Sequence, residues 1–138
     1  MRTGGCQCGD VRYAVRAAPR QLYACHCTEC RRQSGSAFGL SLEVDRAAFA
    51  LTRGRVATWT RPADGGGRVI CHFCPRCGTR IWHEHDPASA TLTVKAGTLD
   101  DPVDLSDAIH IWTDSRLPGV VIPDRARRYP GEPDGQQA

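Results

Sequence analysis

The sequence predicts an all-β fold, and three observations carry that expectation. Short β-branched and aromatic runs recur along the 138 residues. Most of them alternate apolar and polar positions with period two. Stretches rich in Gly and Pro separate them.

Taken in chain order, "VRYAV" sets Val11, Tyr13 and Val15 on one face, and "VATW" alternates in the same way. "RVICHF" and "RIWHE" are short β-branched and aromatic runs, "TLTVKAG" puts Leu92 and Val94 on one face, and "AIHIWT" closes the series. The turn signals between them are "RPADGGGR", "CPRCGT", "DPAS" and "TLDDPVD". Helical turns are expected only near "CTECRRQSG" and "DDPVDLSD". The final stretch, "RRYPGEPDGQQA", is polar and rich in Pro and Gly and reads as loose. One domain over residues 1–130 and a tail over 131–138 are expected.

A chain of this length buries roughly two-thirds of its unfolded surface, so it can build a core without staples. Its eight cysteines therefore need another explanation. The formal net charge is +3, and nearly all the positive charge is scattered arginine. That balance admits an anionic small molecule but gives no block for nucleic acid. No apolar run approaches the ~18 residues of a membrane span. "MRTGGCQCGD" lacks the apolar core of a signal peptide. The expected compartment is the reducing cytoplasm, where clustered cysteines hold metal more often than they form disulfides. An even cysteine count also fits disulfides. However, the tight groups Cys6/Cys8, Cys25/Cys27/Cys30 and Cys71/Cys74/Cys77 suit a small ion better than bridges between distant loops.

"CPRCGT", from Cys74 to Thr79, is the most specific stretch. Two cysteines two residues apart can turn around one ion, Pro75 favours the turn, and Gly78 leaves it. In "CQCG", Cys6 and Cys8 share one face of an extended segment. Neither pair closes a tetrahedron alone; together they would make a four-cysteine site, although Cys71 to Cys74 is also C-x2-C and allows another partition, against which the Pro and Gly placement favours Cys74 and Cys77. Cys25, Cys27 and Cys30 form a second set. If Cys71 joins them, that site is closed and structural. If it does not, the fourth position is open, as in a catalytic zinc site. Cys71 lies in an apolar run three residues before the knuckle, which favours an unliganded core residue. The series Cys71, Cys74, Cys77 begins like a ferredoxin motif, but no fourth cysteine and proline follow.

The ordered pattern is C-x-C-G, then C-H-C-x2-C-R with "SGS", then F-C-P-x-C-G-T, then H-I-x3-S. It resembles the glutathione-dependent formaldehyde-activating enzyme family, also called the GFA or centromere-protein-V family, over roughly residues 3–130. The resemblance implies a β-rich tent fold. It also implies two zinc ions per chain, one structural on Cys6, Cys8, Cys74 and Cys77, and one catalytic on Cys25, Cys27 and Cys30. The implied activity is that of a carbon–sulfur lyase that forms or cleaves S-hydroxymethylglutathione from a thiol, glutathione, and an aldehyde, formaldehyde. Two features depart from the family. Many relatives carry tryptophan where this chain has Gly119, after "SRLP", and Cys71 is an addition beside the knuckle. A lyase for another thiol conjugate and a binding module with two structural zincs are the alternatives.

Around the second set, Arg31 and Arg32 can offset thiolate charge or grip a substrate carboxylate as a fork. Ser34 and Ser36 can offer hydroxyls and turn amides. His110, in the H-I-x3-S stretch with Ser115, is the candidate non-cysteine catalytic residue. His26, between two ligands, should point away from the metal. His72 reads as packing, His83 and His85 as a polar strand face, and Trp82 and Trp112 as core.

Overall fold

The protein is described by a computed structural model that covers residues 1–63 and 65–133. Among these the chain is mainly β, with ten strands in two sheets, one short helix and three 3-10 turns. It divides into two compact units. The first comprises Met1–Arg20 and Leu42–Val103, and the second Gln21–Ser41 and the residues from Asp104 onward.

In the first unit, β1 (Arg2–Gly5), β2 (Arg12–Val15) and β5 (Phe49–Arg53) form an antiparallel sheet in the order β1-β2-β5. The second sheet is an antiparallel succession of β6 (Ala57–Pro62), β7 (Arg68–Phe73), β8 (Arg80–Glu84) and β9 (Thr91–Lys95). The end of β4 (Gly39–Asp45) lies beside β9. Alternation sends Val44, Ile81, Leu92 and Val94 to full burial, together with Val11, Tyr13 and Val15. An aromatic row locks the two sheets of this unit together. Tyr13 stacks on Phe49 at 5.5 Å, Phe49 meets Trp82 at 4.9 Å, and Trp82 stacks on His72 at 4.1 Å.

In the second unit, β10 (Ile109–Ile111) runs parallel to β3 (Gln21–Cys25), pairing Ile111 with Cys25 and His110 with Ala24. The start of β4 flanks β3 on its other side. The helix α1 (Thr28–Ser34) leads out of β3 and ends at Gly35, whose N–H bonds to the Arg31 carbonyl.

Two expectations need correction. "DDPVDLSD" forms no helical turn. Pro102 donates no hydrogen bond, and the Asp104 carboxylate takes the Ser106 N–H at 2.9 Å, which favours a bend over a helix. The stretch from Arg127 is not loose where it is described. His110 N–H bonds to the Arg127 carbonyl and Tyr129 N–H to the His110 carbonyl, both at 2.9 Å, and Trp112 N–H reaches the Gly131 carbonyl at 3.1 Å. β10 needs partners on its outer edge, and these residues supply them. Residues 134–138 of the expected tail, like residue 64 in the "RPADGGGR" turn, lie outside the described residues. No helix among the described residues is long and apolar enough to cross a membrane.

Candidate metal centres

The first centre belongs to the first unit and draws on two segments far apart in sequence. Cys6 and Cys8 sit in the turn after β1, and Cys74 and Cys77 sit in the turn between β7 and β8. Their four sulfurs lie within 4.8 Å of one another, with Cys6 Sγ–Cys8 Sγ at 3.5 Å and Cys8 Sγ–Cys74 Sγ at 3.7 Å. Sulfurs at zinc's ~2.3 Å bond length in a tetrahedron stand about 3.8 Å apart, so the set fits a four-coordinate ion.

The knuckle geometry follows from its residues. Gly78 has φ +83°, and its N–H bonds to the Cys74 carbonyl at 2.9 Å. The Cys74 N–H closes on the Thr79 carbonyl at 2.9 Å. Backbone N–H groups then aim at sulfur: Val11 at Cys6 Sγ, 3.2 Å, and Cys77 at Cys74 Sγ, 3.5 Å. Thr79 was not foreseen as a site residue. Its hydroxyl lies 3.2 Å from Cys77 Sγ and accepts the Gln7 N–H at 3.1 Å, so it ties the two ligand segments together. The Thr79 side chain and then backbone N–H groups bring the Cys77 thiol down to about 5. Such a donor set favours thiolate, the form that binds metal.

The second centre belongs to the second unit. Cys25 ends β3, Cys27 caps α1 with an extended backbone, and Cys30 sits in the first helical turn. Cys27 Sγ accepts the Cys30 N–H at 3.2 Å. Cys25 and Cys30 are buried and pack with Tyr23, Ile109 and Ile111. The three sulfurs lie within 4.8 Å of one another. Among the described residues, no fourth Cys, His, Asp or Glu brings a ligand atom into that group. Hydrogen bonds from Cys25 and Cys30 drive the Cys27 thiol down to about 2, while the same contacts drive the Cys25 thiol up. Three thiols so crowded share one another's hydrogen bonds, and an ion with affinity for sulfur would relieve the crowding. Cys71 joins neither group. It is buried in β7, opposite Trp59 on one side and His83 on the other.

Arg31, Arg32 and Ser36 line a groove of about 520 Å³ with Thr28, Gly35, Ala37 and Leu117. Ser34 does not line it; its hydroxyl donates to the Cys30 carbonyl at 2.7 Å and meets Ser36 Oγ at 3.0 Å. This is the usual fate of a serine late in a helix, bonding back four residues.

His110 is not brought to the cysteines. Alternation along β3 and β10 puts His110 and Ala24 on the face opposite Cys25 and Ile111. There His110 Nδ1 meets His26 Nε2 at 2.9 Å, beside Phe38. His26, fully buried, does point away from the cysteines, as the extended backbone requires. Burial first, and then the charges of His110 and Arg116, lower its pKa to about 4. His83 shares a polar strand face with Lys95 and His85 but is buried there, with Nδ1 2.7 Å from Lys95 Nζ. Gly119 has φ +91° and open space around it, so glycine answers a backbone demand that tryptophan would meet only with strain.

A crystal structure of a Rhodobacter sphaeroides protein is similar to this chain, with a TM-score of 0.60 at 20% identity, over 78% of this chain and 98% of that one. At that identity the likeness speaks for the fold. The family model of the glutathione-dependent formaldehyde-activating enzyme matches residues 1–115, a span that holds every cysteine, and the chain belongs to that family.

Proposed function

We propose that the chain is a zinc-dependent carbon–sulfur lyase that forms or cleaves a thiol–aldehyde adduct, such as the one between glutathione and formaldehyde. The observation that carries this reading is the convergence of Cys25, Cys27 and Cys30 with no fourth ligand among the described residues. Membership of the GFA family supports this reaction class.

In the forming direction the thiol sulfur bonds to the aldehyde carbon, the carbonyl π bond breaks, and the thiol proton ends on oxygen. Cleavage reverses each change. Zinc held by the three cysteines would supply positive charge that favours an ionised thiol near neutral pH. The chain's own residues do the rest. The Cys30 N–H holds Cys27 Sγ in place, and burial of Cys25 and Cys30 keeps water from their sulfurs. Arg31 and Arg32 line the adjoining groove and would take the carboxylate of an acidic thiol. Fixing thiol and aldehyde together removes the entropic cost of their encounter. The four-cysteine centre would hold a second zinc with a structural role.

The test is turnover of a panel of thiol–aldehyde adducts by protein loaded with two zincs. Release of aldehyde from at least one adduct, abolished by Cys27→Ser, is expected. Failure on the whole panel with two zincs in place would leave a zinc-stabilised binding module.

A further inference from the structure

We propose that the face shared by β8 and β9 is a binding site for an oxyanion, a carboxylate or phosphate group of a small molecule, recognised by His83, His85 and Lys95. The site lies within the first unit and is independent of the lyase reading.

Lys95 is the only lysine in the sequence, and its Nζ lies 2.7 Å from His83 Nδ1. A lysine ammonium only donates, so Nδ1 is the acceptor and a neutral His83 carries its proton on Nε2. His83 is 4% exposed, and its Nε2 is buried without a hydrogen-bond partner. A buried donor of that kind calls for an acceptor. His85, two residues on and on the same face, has both ring nitrogens buried without a partner. Its ring stands 5.7 Å from that of His83 at 82°. Whichever nitrogen of His85 carries the proton, a second donor is available beside the first.

The strongest charges acting on His83 are basic. After burial itself, the groups that hold His83 neutral are Lys95, His85, Arg61 and Arg80, with no carboxylate among them. Of the two acids that flank His85, Glu84 alternates to the opposite face and is engaged there by Arg46 at 2.7 Å and His72 at 3.3 Å, and the Asp86 carboxylate takes the Ala88 N–H at 2.8 Å. Arg80 is held over the rings of Trp59 and Phe73, at 5.7 and 5.8 Å. Buried N–H donors beside a lysine ammonium favour an oxygen with negative charge as their partner.

The test follows ring-nitrogen resonances of the ¹⁵N-labelled, zinc-loaded full chain while phosphate or acetate is added at constant ionic strength against chloride. Saturable shifts at His83 and His85, with His72 unmoved, are expected. Lys95→Met should weaken the binding by at least about tenfold, the worth of one charge-assisted hydrogen bond. Saturation by acetate alone identifies a carboxylate site, and by phosphate alone a phosphate site. Linear shifts without saturation, an adventitious ion only, would overturn the proposal, as would unchanged affinity in Lys95→Met. Should that variant fail to fold, the wild-type contrast between His83, His85 and His72 still decides.

Discussion

Gly39 passes α1 so closely that a β-carbon on it would lie 3.1 Å from Cys30 Cβ and 3.1 Å from Gln33 Nε2. The Gln33 amide can swing aside, but Cys30 is fixed by the helix and by its two neighbouring sulfurs. Gly39→Ala should therefore displace the third ligand. Overpacking of this kind costs about 1–3 kcal/mol. We expect a loss of that size in chemical denaturation, together with weaker metal retention at the three-cysteine centre only. Full stability with two retained zincs would show that β4 can shift freely.

The two centres should respond differently to loss of a ligand. Cys6 and Cys8 are joined to Cys74 and Cys77 across more than sixty residues, so metal there cross-links the chain. Structural zinc contributes ~10–16 kcal/mol of apparent binding free energy, against a net stability of ~5–15 kcal/mol for a typical domain. Cys77→Ser should abolish soluble folding or lower Tm sharply. Cys27→Ser removes a ligand from a local set, Cys25 to Cys30, and should cost one metal per chain with a much smaller fall in Tm. Equal unfolding of the two variants would make the second centre structural as well.

The cysteine pairs and the set Cys25, Cys27 and Cys30 were legible because their spacing is local: C-x-C, C-x2-C and the Pro and Gly of "CPRCGT" encode their own turns, whereas the joining of Cys6 and Cys8 to Cys74 and Cys77 followed only from the four ligands that a tetrahedron needs. The all-β class was legible from alternation in β2, β7, β8 and β9. β1 was not, since "RTGG" has no apolar residue and is a strand only through its pairing with β2. β10 and the chain from Arg127 read as separate, yet pairing makes them neighbours. The meeting of His26 with His110 depends on parallel pairing across 84 positions, which no local pattern encodes. β4 is a different case. "GLSLEVD" carries the alternation of Leu42 and Val44, and the signal was present.

His83 makes stability depend on pH. Burial, then Lys95 and the other basic groups, hold its pKa well below the ordinary 6.5. The unfolded chain therefore takes up a proton near pH 6.5 that the folded chain refuses. Stability is undiminished above that pH and falls as the pH drops, by up to about 1.4 kcal/mol per pH unit for one such group. His83→Gln should flatten the decline between pH 7 and 5.5 in urea unfolding at fixed zinc. An unchanged slope would mean that His83 is protonated as readily in the fold as outside it.

Cys71 tests whether the three-cysteine centre keeps an exchangeable position. The thiol is 5% exposed, lies in β7, and belongs to neither group of clustered sulfurs. Cys71→Ala should retain two zincs per chain by mass spectrometry. Its cost should be that of a small cavity, of the order of 1 kcal/mol, or a few degrees in Tm. In the cobalt-substituted wild type, a small thiol entering an open position should change the visible spectrum, and Cys27→Ser should abolish that change. Loss of one metal in Cys71→Ala, with a cobalt spectrum indifferent to thiol, would mean that the protein itself completes the tetrahedron. The lyase chemistry would then have no place to bind its thiol.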